Sequence, residues 1–162
     1  MPLMRYIRHS TEPLTEVWQS ILQDGSDHRG TKPNGVWFSI VGEDGRDGWM
    51  DYCNGKGIKL GQYRTEIVLN EDSVQFIGSA AEIDKLTTRY GYFPECPAEF
   101  LRSDPNYTRS AICWRRLAEE YDGIIIAPEC TDRRQENHWY YTWDCASGCI
   151  WSSNAVKELK QL

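Results

Sequence analysis

The chain has no apolar run long enough to cross a bilayer. Its longest, such as Gly123–Ala127, fall far short of the roughly 20 residues that a spanning helix requires. Positive charge is also scarce: 18 Lys and Arg stand against 24 Asp and Glu, a formal net charge of −6. Such a chain is repelled by a phosphate backbone, so a nucleic-acid partner is disfavoured; Arg133 and Arg134 are the one place where a basic patch could gather. There are only three histidines, and the cysteines lack the paired spacing of zinc knuckles or ribbons. Cys145 and Cys149 with His138 and Cys130 are the nearest thing to a zinc set, and the second ligand pair is missing, so no metal is expected. No local sequence supports a cysteine nucleophile beside a histidine and an acid. Met1 to Tyr6 enters a strand pattern without a signal-peptide core. The expectation is a cytoplasmic protein in a reducing compartment, with its six cysteines mostly buried as free thiols.

Repeats, low-complexity tracts and linkers are likewise missing, which leaves one domain over residues 1–162, long enough to bury a core unaided. What the chain has in quantity is aromatic: seven Trp and nine Tyr. Such side chains fill cores and also stack on planar ligands. Leu3–His9, Val36–Val41, Tyr63–Leu69, Val74–Ile77, Ile124–Ala127, Trp139–Trp143 and Cys149–Trp151 read as strands. A helix is expected after Thr11-Glu12-Pro13, with Leu14, Val17, Trp18, Ile21 and Leu22 on one face. Trp49–Cys53 reads as a short helical turn, and Ser79 with Glu82 as a capping box opening a helix over Ala80–Arg89. Tyr107–Tyr121 gives the strongest helical pattern, and Val156–Leu162 reads as a helical tail. Asp24–Asn34, Gly91–Asn106 and Pro128–Asn137 read as loops. The class is α+β.

Three separated segments each bring a polar group and an aromatic neighbour: His9-Ser10-Thr11, Gly35-Val36-Trp37-Phe38-Ser39, and Tyr140-Tyr141-Thr142-Trp143-Asp144. In this order they resemble the motifs of ADP-ribosyltransferases with a His–aromatic–acid set, the class of poly(ADP-ribose) polymerases and diphtheria-type toxins. His9-Ser10-Thr11 is similar to the family's opening His-Gly-Ser or His-Thr/Tyr-Ser. Gly35 to Ser39 is similar to its Gly-Ile-Tyr-Phe-Ala, with Trp37 where Tyr is usual, and Trp49 and Tyr52 as candidates for the later aromatic. Leu117 to Ile126 is similar to the helix–Gly–strand unit that precedes the acid-bearing strand. Many relatives carry Glu at the acid position; here it would be Asp144, with Glu129 and Glu136 as alternatives.

The resemblance implies a fold of two small twisted, mainly antiparallel sheets forming an NAD cleft, flanked by helices. His9 would hydrogen-bond the adenosine ribose, and the Ser10 backbone would pair with the nicotinamide carboxamide. Thr11, Gly35, Trp37, Ser39, Trp49 and Tyr52 would complete the cofactor site, with Trp37 or Trp49 stacking on nicotinamide. Asp144 would stabilise the oxocarbenium-like charge that develops as the glycosidic bond breaks. NAD would be the substrate, no metal would be needed, and the acceptor would be a host protein. Simpler readings of the same residues stand beside these: a strand-end His9 satisfied locally, core Trp residues, and Asp144 forming a turn before Cys145-Ala146-Ser147-Gly148. At the level of function the alternatives are an NAD glycohydrolase and a non-catalytic protein-binding module using surface aromatics.

Overall fold

The computed structural model of the protein describes residues 3–23, 32–92 and 111–162. Strand β1 (Arg5–Ser10) buries Tyr6 and Ile7, a largely apolar run builds β2 (Val36–Val41), and burial alternates along β3 (Tyr63–Leu69). The shorter β4 (Val74–Ile77), β7 (Gly123–Ile126) and β8 (Ser147–Ile150) follow, with β9 (Val156–Gln161) last. All seven join one mixed sheet in the order β4-β7-β8-β2-β1-β3-β9, in which only β4 and β7 run parallel. The pair β5 (Gly91–Tyr92) and β6 (Ala111–Ile112) forms a separate two-stranded ribbon. The helices are α1 (Gly48–Lys56), α2 (Ala80–Tyr90), α3 (Trp114–Glu120), α4 (Thr131–Glu136) and α5 (His138–Tyr141).

Apolar residues on both faces of the sheet make two cores. Ile124 and Ile126 of β7 pack with Ile77, Leu86, Leu117 and Trp139, whereas Ile125 between them packs with Tyr6, Phe38 and Leu69. A strand buried on both faces has to be continuously apolar, as Gly123-Ile124-Ile125-Ile126 is. Gly148 is required where β8 crosses β2, because a Cβ there would lie 2.4 Å from the Phe38 ring. In α2, Ile83, Leu86 and Tyr90 form the buried stripe. The Ser79 hydroxyl accepts from the Glu82 N–H at 3.3 Å, and the Glu82 carboxylate reaches back to the Gly78 N–H, one residue before the cap.

The expected pair of small sheets is one seven-stranded sheet plus the ribbon, because β8 hydrogen-bonds β2 on one side and β7 on the other. The expected helix after Pro13 is an irregular extended segment. Its backbone groups find distant partners instead of each other: Ile21 N–H donates to the Trp151 carbonyl, and the Trp18 carbonyl accepts from Ser153 N–H. Leu14 and Val17 pack against one core and Ile21 against the other, which a single helical face could not do. The expected tail helix is β9, held by antiparallel pairing to β3. Trp139–Trp143, expected as a strand, is largely the single turn α5, and the expected loop Pro128–Asn137 contains α4. The helix expected over Tyr107–Tyr121 is confined to α3, with β6 before it; residues 107–110 lie outside the described set, as do 24–31 and 93–106 of the expected loops.

Candidate functional site

Neighbouring strands bring the three motif segments together. The register pairs Ser39 with Ser147 and Trp37 with Cys149, so β8 places the segment before it against the end of β2. A cavity of about 290 Å³ opens there, lined by His9 of β1, Trp37 and Ser39 of β2, Trp49 of α1, and Asp144. Arg8, Lys32, Trp143, Cys145 and Ser147 complete most of the wall. Trp37 meets Trp143 edge-on, ring centroids 4.8 Å apart, and the Lys32 ammonium lies 5.5 Å from the Trp37 ring centre.

A second cavity of about 310 Å³ adjoins the first and shares Arg8, His9 and Trp49 with it. Ser10 and Thr11 line this second space with Ile58, Lys59 and Gly61. Tyr52 stacks on Trp49 with centroids 5.5 Å apart and planes 16° from parallel. Gly35 does allow a close backbone approach, but to Ile150: a Cβ would lie 2.3 Å from its carbonyl oxygen. Gly35 itself lines neither of these cavities.

The His9 Nε2 lies 2.7 Å from Asp47 Oδ2, with the two side chains 2 % and 6 % exposed. The other oxygen of Asp47 accepts from the N–H groups of Trp49 and Met50, capping α1. One buried carboxylate thus fixes both the histidine and the helix that carries Trp49. The His9 ring consequently presents little surface to either cavity, and its nearest polar partner is Asp47.

Asp144 is 28 % exposed and pairs with Arg134 Nη2 at 3.4 Å. The same guanidinium binds Glu129 at 2.8 Å and the Tyr141 carbonyl at 3.0 Å. Glu136 pairs with Arg133 at 3.1 Å. Of the three candidate acids, Asp144 is the one that lines the cavity. Burial pushes the Cys145 thiol up to about 12, reinforced by Asp47 and Asp144, and holds the Cys149 thiol well above the ordinary range. Burial lowers the Arg8 guanidinium, whose Nη1 donates to the Trp37 carbonyl at 2.9 Å.

No family model, curated protein or solved structure matches the chain. Among the described residues, no group of three or more His, Cys, Asp or Glu could hold a metal ion, and no helix is long and apolar enough to cross a membrane. Sequence reasoning missed Arg8, Asp47 and Ser147. Asp47-Gly48 ahead of Trp49 carried a cap signal that would have found the first turn of α1. Arg8 carried a weaker one, a cation beside His9 in a strand whose neighbours Tyr6 and Ile7 are buried.

Proposed function

We propose that the first cavity binds NAD and that the protein is a mono-ADP-ribosyltransferase of ADP-ribosyltransferase-like fold, transferring ADP-ribose to a protein in a host or target-cell cytosol. The observation that carries this reading is convergence. His9, Trp37, Ser39, Trp49 and Asp144, from segments far apart in sequence, line one cavity. The aromatic walls suit the nicotinamide ring, and Trp49, backed by Tyr52, offers a ring already held in place.

In the reaction the C–N bond between ribose and nicotinamide breaks. Its electron pair leaves with the nicotinamide nitrogen, and positive charge grows on the ribose. Asp144 sits at the cavity wall to stabilise that charge, with Arg134 fixing its position. The acceptor oxygen or nitrogen then bonds to the anomeric carbon and releases its proton to solvent. With water as the acceptor, the same cavity performs NAD hydrolysis.

A second reading rests on the surface. Trp18 and Leu22 are 74 % and 76 % exposed, which fits a protein-recognition module without catalysis. Titrating NAD in a thermal-shift assay, alongside a nicotinamide-release assay, separates the two. A saturable rise in melting temperature with nicotinamide release supports the transferase or hydrolase. No shift and no release at millimolar NAD removes it in favour of the module.

A further inference from the structure

The acids nearest the cavities are already committed, Asp47 to His9 and Asp144 to Arg134. The Arg8 guanidinium is not. Its one hydrogen bond among the described residues goes to the Trp37 carbonyl, and no carboxylate there lies within ion-pair distance. The fully buried Cys149 thiol also acts on it, and burial keeps that thiol protonated and therefore neutral. An arginine stays protonated even when partly buried, so Arg8 is a cation without a carboxylate partner among the described residues, in a chain of net charge −6.

Position adds a second, independent constraint. Arg8 lines both cavities, at the junction where the aromatic space of Trp37 and Trp49 meets the space beside Ser10, Thr11 and Lys59. A guanidinium fork matches phosphate oxygens in shape as well as charge. We infer that Arg8 is the phosphate-binding residue of the site, gripping a nucleotide at the junction with its ring in the aromatic cavity. The adjoining cavity then seats the part of the ligand beyond the phosphate. This rests on the NAD reading for the identity of the nucleotide, but not for the role of Arg8.

Calorimetric titration of the full chain with NAD, nicotinamide riboside and inorganic pyrophosphate tests it. The wild type should bind NAD at least about tenfold tighter than nicotinamide riboside, the scale expected for charge-assisted hydrogen bonds, and pyrophosphate should compete with NAD. Arg8→Gln should remove most of that preference and abolish pyrophosphate binding while leaving nicotinamide riboside within about twofold; Arg8→Lys should fall between. An Arg8→Gln protein that still prefers NAD as strongly as the wild type overturns the inference. Should that variant not fold, the wild type alone decides: equal affinity for NAD and nicotinamide riboside, or a preference unaffected by salt, overturns it equally. Arg8-dependent binding of pyrophosphate without any binding of nicotinamide riboside keeps the phosphate role and sinks the NAD reading instead.

Discussion

His9 Nε2 and Asp47 Oδ2 are 2.7 Å apart, and this contact ties β1 to the first turn of α1. It changes what a histidine at this position does. A ring buried against a carboxylate that also caps a helix fixes the placement of Trp49 before it touches any ligand. His9→Ala is therefore expected to lose both NAD affinity and stability.

Asp47→Ala removes a cap with two accepted N–H bonds and leaves His9 buried without its partner. The expected loss is about 3 kcal/mol in urea denaturation, summing a cap term with an unsatisfied buried group. Asp47→Asn keeps an oxygen for the cap and should lose less than half as much. A loss under about 1 kcal/mol for Asp47→Ala would show that the pair holds little of the fold together.

On the proposed reaction, in which Asp144 acts chiefly in the transition state, Asp144→Ala should abolish nicotinamide release while leaving NAD affinity within about threefold. Release continuing at the wild-type rate would remove Asp144 from the chemistry and return attention to Glu129, which shares the same arginine.

Alkaline pH should destabilise the protein from about pH 9 upward. Burial raises the Cys145 thiol from its ordinary 9.0 to about 12 and the Tyr140 phenol from 10.0 to about 12. Between those values the native state keeps protons that the unfolded chain has released, so stability falls as pH rises. The protonated thiol's contribution is whole below pH 9 and gone above about 12. For Cys145 alone the slope is about 1 kcal/mol per pH unit. Urea midpoints at pH 8, 9 and 10 check the direction, and Cys145→Ser should lessen the slope while Cys149 and Tyr140 keep part of it; midpoints that do not move would contradict it.

Gly61→Ala should distort the adjoining cavity. A Cβ there would lie 2.2 Å from the Ser10 carbonyl, a clash with backbone that a side-chain rotation cannot relieve. The expected cost is about 2 kcal/mol in thermal or urea melts. A variant as stable as the wild type would mean that the end of β1 shifts freely.

The strands were legible where alternation or a continuous apolar run was strong: Val36–Val41, Tyr63–Leu69 and Val74–Ile77 lie where the pattern puts them. The capping box at Ser79 located α2 for the same local reason. Val156-Lys157-Glu158-Leu159-Lys160 has the composition of a helix, yet the edge of β3 supplies partners that make it a strand. Leu14, Val17 and Ile21 are spaced for a helix, but they serve two cores on opposite sheet faces, and no local pattern encodes that division. The segments that line the first cavity stood out in the sequence as segments. That His9 faces Asp47, and that Arg8 has no acid beside it among the described residues, depends on residues brought together over distances in sequence that no motif spans.

The position of β8 between β2 and β7 sets when the site can exist. During synthesis, β1, β2 and α1 emerge well before residues 143–150, which supply Trp143, Asp144 and the strand that closes the wall. Until then the open edge of β2 is bare, with Trp37 and Phe38 uncovered, a surface for chaperones to recognise. A nascent chain therefore holds β1, β2 and α1 with one wall of the cavity missing until residues 143–150 have emerged.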